Sequence, residues 1–148
     1  GNAHTGISIG ERDTDHHLKN NRIIANGHDG IGFRKPIANG GDRVTIESNH
    51  LKENGAARES FEILIPSHVH EIALFHNQIE PREGRAISIG EECRAVLCAE
   101  NQINQRLQQN SDIVGYNESL CTTLPTVPPI YGISHFDPRA VRHIRVSL

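Results

Sequence analysis

The chain has no tryptophan and no methionine, and aromatic residues make up only 4% of its 148 positions. Its interior must therefore be filled by Ile, Leu and Val, which suits thin layers of stacked aliphatic side chains. Proline is sparse before Pro125, as expected where backbone donors are committed to strand pairing. No apolar run approaches the roughly 18 residues that a membrane-spanning helix needs. The formal charge is only −3, with both signs interspersed, which argues against nucleic acid as a partner. Three cysteines, Cys93, Cys98 and Cys121, do not make a disulfide framework. Cys98 falls at an inward strand position and reads as a buried thiol; a Cys93–Cys121 bridge stays open. Helical periodicity is also missing from residue 5 to about residue 100, where no apolar run holds a three-four spacing.

What is present is a repeat. Asn21-Arg22-Ile23, Asn49-His50-Leu51, Asn77-Gln78-Ile79 and Asn101-Gln102-Ile103 recur at intervals of 28, 28 and 24 residues. Periods in this range belong to stacked architectures. Two kinds of short apolar alternation run in phase with it. Ile7-Ser8-Ile9, Ile31-Gly32-Phe33, Phe61 to Ile65 and Ile87-Ser88-Ile89 open each unit, and the five residues Ile7 to Glu11 recur identically as Ile87 to Glu91. Val44-Thr45-Ile46, Ile72-Ala73-Leu74 and Val96-Leu97-Cys98 precede the asparagines. Period-2 alternation over three to five residues predicts strands. Three short strands per unit predict one coil of a parallel β-helix, each strand pairing with its counterparts in the coils above and below.

The asparagines have two physical uses. Asn tolerates the left-handed conformation that a tight corner requires. Amides stacked one above another can also donate and accept along the stack. The spacing predicts that Asn21, Asn49, Asn77 and Asn101 form a largely buried internal ladder. The pattern fails from Asn104 onward, so the chain divides into β-helix coils over residues 1–103 and a terminal cap or oligomer-forming arm over 104–148. No polar or helical cap precedes Ile7. This predicts either the C-terminal piece of a longer β-helix or a homo-oligomer in which another subunit covers that end.

The stretch Thr5 to Phe33 (TGISIGERDTDHHLKNNRIIANGHDGIGF), with Val44 to Gly55 and Ile72 to Ile103, resembles right-handed parallel β-helix proteins of the pectate-lyase-like superfamily. It is most similar to bacterial members of poorly defined activity. The resemblance implies an all-β, right-handed, single-stranded parallel β-helix of about four to five coils with an irregular C-terminal cap. The handedness agrees with the general rule for parallel crossovers. The resemblance further implies a secreted or cell-surface location and a polysaccharide partner. The superfamily spans lyases, hydrolases, epimerases and tailspikes, so fold does not choose among them. In the lyase-type relatives, chemistry sits on the outer face of the first-strand sheet and uses acidic calcium ligands and a basic residue. The outward positions here read as Ser8, Gly32, Glu62, Leu64 and Ser88: one carboxylate and no base. A calcium site wants several converging oxygens, so no cofactor is expected, calcium being the only one the resemblance brings in.

The richest polar cluster follows the first strands. Glu11, Arg12, Asp13 and Asp15 end one strand, Arg34 and Lys35 are expected one coil above, and Asp42 lies in the next turn. Mixed charge in register between coils ordinarily forms a solvated ion-pair network. The functional reading makes Asp13 and Asp15 catalytic carboxylates and Arg34 an anion clamp. Arg12, Lys35 and Glu62 then contact substrate, and the loop from Arg34 to Asp42 walls a groove. Ten histidines raise the question of a metal. His16-His17, His68-Val69-His70 and His76 lack an assigned third ligand, and no metal site is assigned. Two functional expectations follow: a polysaccharide-binding or polysaccharide-processing β-helix, and a non-catalytic assembly module that oligomerises through its uncapped end.

Overall fold

The computed structural model describes residues 1–36, 40–57 and 59–115, and the backbone of 121–124. Most of the cap expected over 104–148 lies outside the described residues. The first coil comprises β1 (Ile7–Ile9), β2 (His17–Lys19) and β3 (Arg22–Ile24). The second comprises β4 (Ile31–Phe33), β5 (Val44–Glu47) and β6 (His50–Lys52). The third is β7 (Ile63–Ile65), β8 (His70–Phe75) and β9 (Gln78–Glu80), and the fourth β10 (Ile87–Ile89), β11 (Arg94–Ala99) and β12 (Gln102–Ile103). A short β13 (Arg106–Leu107) precedes β14 (Ile113–Val114) and β15 (Cys121–Leu124), which begin another coil. The only helical turns among the described residues are single 3-10 turns at Arg82–Gly84 and Asn110–Asp112.

Three five-stranded sheets run the length of the stack, in the orders β1-β4-β7-β10-β14, β15-β11-β8-β5-β2 and β13-β12-β9-β6-β3. Every pairing is parallel except β12 with β13. The fold is a parallel β-helix. The register places like on like: Ile7, Ile31, Ile63, Ile87 and Ile113 form one interior column, and Ile23, Leu51, Ile79 and Ile103 another. Leu18, Ile46, Leu74 and Cys98 form a third. With small changes in shape from coil to coil, these aliphatic columns fill most of the core, joined by the buried rings of Phe33 and Phe75. Pro66 and Pro81 directly follow β7 and β9, where a missing N–H costs no ladder bond.

The amide ladder forms as expected. Asn21 Nδ2 donates to Asn49 Oδ1 at 3.0 Å, Asn49 Nδ2 to Asn77 Oδ1 at 3.1 Å, and Asn77 Nδ2 to Asn101 Oδ1 at 2.9 Å. The backbone N–H groups of Asn21, Asn49 and Asn77 also donate to the Oδ1 of the next rung. The second amide hydrogen of Asn49, Asn77 and Asn101 goes to Leu18, Ile46 and Leu74 carbonyls, respectively. Asn49, Asn77 and Asn101 are buried and Asn21 is half-buried. The left-handed conformation, however, does not belong to the rungs. It falls on the preceding residue, at Asn20, Ser48, His76 and Glu100, with φ between 51° and 58°. The corner is thus two residues, one that turns and one that bonds.

A second, shorter column was not expected. Asn26 Nδ2 donates to Asn54 Oδ1 at 2.8 Å, and Asn54 Nδ2 to Glu62 Oε2 at 2.5 Å. Residues 26 and 54 carry the same 28-residue interval as the main ladder and are again preceded by left-handed residues, Ala25 and Glu53. Where the third coil would supply an amide, the sequence has Arg82, and the carboxylate of Glu62 enters from the side. Cys98 is buried as expected; Cys93 Sγ lies 2.9 Å from the Pro66 carbonyl, and the side chain of Cys121 lies outside the described residues.

Candidate functional site

The expected charged cluster divides into structural contacts and one site residue. Asp13 Oδ2 accepts from Gly10 N at 2.8 Å, closing the turn after β1. Asp15, in left-handed conformation, forms a two-pronged ion pair with Arg43, Nε to Oδ1 at 2.7 Å and Nη2 to Oδ2 at 2.9 Å. That side-chain pairing, with Glu71 beyond it, raises the pKa of Arg43. Asp42 is buried and serves the backbone, accepting from His70 N on its side chain and from Asp15 N on its carbonyl. Arg34 does sit against the preceding coil, its Nη1 3.9 Å from Glu11 Oε2. Arg12 and Lys35 are exposed. The loop expected to wall a groove is described only at 34–36 and 40–42.

Glu62 requires a correction. It was expected on the outer face of the first sheet, but its side chain is fully buried in the second amide column. Period-2 counting from Ile63 gives the wrong face because β7 begins at Ile63 and Glu62 still belongs to the corner.

The outer face of β1 and β4 nevertheless carries a concavity of about 340 Å³, lined by His4, Thr5, Ser8, Asp29, Gly32, Phe33 and Arg34. Gly32 is its floor. A Cβ there would come within 3.2 Å of Asp29 Oδ2 and of Thr5 Cγ2, so glycine lets the carboxylate lie close over the sheet. Asp29 Oδ1 accepts from Phe61 N at 2.7 Å, which fixes the side chain from the coil beyond. Burial pushes the Asp29 carboxyl above the usual range, against the opposing pull of the Phe61 and Asp29 N–H groups and of His28. His28 stacks on His4, with ring centroids 6.4 Å apart and planes 6° apart. Arg34, at the end of β4, brings the guanidinium. Neither Asp13 nor Asp15 lines this concavity; of the expected residues only Arg34 does, beside the outward Ser8 and Gly32. The signal for Asp29 was an acidic residue just ahead of a strand whose outward position is glycine.

Five of the eight described histidines face carboxylates between coils. His17 Nε2 and Lys19 Nζ both reach the buried Glu47, at 2.8 and 3.1 Å, the lysine standing off the hydrogen-bonding direction. His50 and Lys52 repeat the arrangement on Glu80, at 2.8 and 3.2 Å, and hold its carboxyl below the usual range. His68 pairs with Glu92 at 3.0 Å, His76 with Glu100, and His70 Nδ1 stands 3.9 Å from Asp42. Among the described residues no three metal-ligating side chains converge, and no helix is long and apolar enough to cross a membrane. Compared with known proteins, the chain matches no family model, no curated protein and no solved structure.

Proposed function

We propose that this is a pectate-lyase-like β-helix protein that binds or processes a polysaccharide at the outer face of its first sheet. The concavity over β1 and β4 carries the reading. A carboxyl, a guanidinium, an imidazole and two hydroxyls, from Asp29, Arg34, His4, Thr5 and Ser8, converge above a glycine floor. Carboxylate and guanidinium groups bond paired sugar hydroxyls in two-pronged fashion, and Arg34 would clamp an acidic substituent. Burial lets the Asp29 carboxyl keep its proton to higher pH than an ordinary aspartate, which suits a proton donor or acceptor. In this reading Asp29 takes the role that Asp13 and Asp15 were expected to fill. Beyond the concavity the outward column continues through Leu64, Ser88 and the exposed Val114. Successive coils are about 4.8 Å apart, so the column offers an extended track for a linear chain.

The test is a glycan array followed by thermal shift against uronate and neutral polymers, with and without calcium. Stabilisation by a polymer that disappears in Asp29→Asn and Arg34→Ala but survives in Asp13→Asn supports the proposal. Binding unaffected by both substitutions places the site elsewhere. A second reading rests on a different observation: β1, β2 and β3 are edge strands, and Ile7 and Leu18 at that end are only partly buried. On this reading the module assembles end to end. Solution mass rising with concentration, together with silence on the glycan array, would favour it.

A further inference from the structure

We infer that Glu62 is a proton-operated clamp that closes the second amide column and ties the candidate site to the coil beyond. The inference does not rest on the polysaccharide reading. In the main ladder every rung is a neutral amide. Here the acceptor is a carboxyl group with no exposed surface. Its Oε1 accepts from Asn54 N at 2.9 Å and its Oε2 from Asn54 Nδ2 at 2.5 Å. The backbone N–H of Arg82 bonds it as well. All three partners are donors, so the ionised carboxylate receives a charge-assisted bond from each, and protonation removes that charge and weakens what it accepts. Burial acts in the opposite sense, since a charge in the interior is costly.

Among the described residues, the charged groups on the surrounding segments are Arg82, Glu83 and Arg85 on one side, His28 and Asp29 on the preceding coil, and Glu53 and Glu59 along its own connection. Of these, Arg82 contributes a direct charge attraction. Arg85 is turned away, its Nη2 3.3 Å from the Gly55 carbonyl and 3.6 Å from Glu83. Burial, set against the Asn54 and Arg82 contacts, leaves the Glu62 carboxyl raised to about 7.

Glu62 and its neighbour Phe61 also link three coils through the backbone. Ile31 N donates to Glu62 O at 2.8 Å, Glu62 N to Arg85 O at 3.1 Å, and Phe61 N to the Asp29 carboxylate. Weakening of the Asn54 bonds on protonation therefore loosens the residue next to the anchor of Asp29.

The experiment is carboxyl ¹³C and amide NMR of the whole chain from about pH 4 to 9, with no ligand present. The expected result is a Glu62 carboxyl midpoint near 7, matched by the Asn54 side-chain NH₂ and the Phe61 amide. Both responses should vanish in Glu62→Gln. A Glu62 midpoint in the ordinary carboxylate range, or Asn54 signals flat through that midpoint, would overturn the inference. If Glu62→Gln does not fold, Glu62→Asp identifies the resonance and the native titration decides alone.

Discussion

Two amide columns run through this β-helix, and they end differently. The main one is uniform: Asn21, Asn49 and Asn77 each pass a side-chain bond to the next asparagine, and Asn101 passes one to the amide of Gln108. The second has two asparagines and is closed by the carboxyl of Glu62. The first column is a purely structural solution to buried polarity, indifferent to pH across the neutral range. The second spends part of the same solution on a titratable group beside the candidate site. The contrast shows that a repeat can keep its geometry while one coil changes the chemistry that holds it.

The sharpest way to break the contrast is Asn77→Ala. Asn77 makes four side-chain bonds, to Asn49 N and Nδ2, to Asn101 Oδ1 and to the Ile46 carbonyl. Its loss leaves buried donors and an acceptor unmatched, for about 3–5 kcal/mol of destabilisation, or roughly 10 °C in Tm. A loss below about 1 kcal/mol in denaturant melts would mean the column is not an energetic element.

Next comes the pH response of the second column. Glu62 binds its proton more tightly when folded, with its carboxyl raised from 4.5 to about 7. Its contribution is therefore fully present below pH 4.5 and is lost as pH rises through about 7. Linkage gives about 3 kcal/mol over that window. Urea melts across the window should show this decline in the native chain and a flatter profile in Glu62→Gln, whatever its absolute stability. Equal slopes in the two proteins would remove the difference between the columns.

Asn21→Ala is a smaller perturbation. This half-buried end rung donates a single side-chain bond, so the expected cost is about 1 kcal/mol. A cost equal to that of Asn77→Ala would show that position along the ladder does not matter. The smallest effect is expected at Ser48→Gly. Ser48 holds φ 55° without glycine's freedom, and the substitution should stabilise by about 0.5 kcal/mol, read as a small rise in Tm.

Much of the fold was legible because burial and pairing impose a period on the chain. Ile7, Ile31, Ile63 and Ile87 face inward in every coil, and each strand's register follows from that. The main ladder was legible because its rungs all carry the same residue. The second column was equally periodic at 26 and 54 but stopped after two copies, and Glu62 reaches its place from a different corner, so no repeat announced it. The site was less legible for a related reason. Asp13, Asp15 and Arg34 share a charge pattern, but whether two of them meet depends on the path of the turn. Gly10 captures Asp13 and Arg43 captures Asp15. Asp29 becomes a site residue only because Gly32, in the next strand, has no side chain to hold it off.

The corner that carries the main ladder is two residues long in all four coils, while the other connections range more widely in length. It works like the escapement of a clock, advancing the winding by a fixed step however much chain is let out elsewhere. Segments at the remaining corners could be lengthened, shortened or exchanged without disturbing the beat, so the scaffold can acquire new recognition surfaces while its axis keeps time.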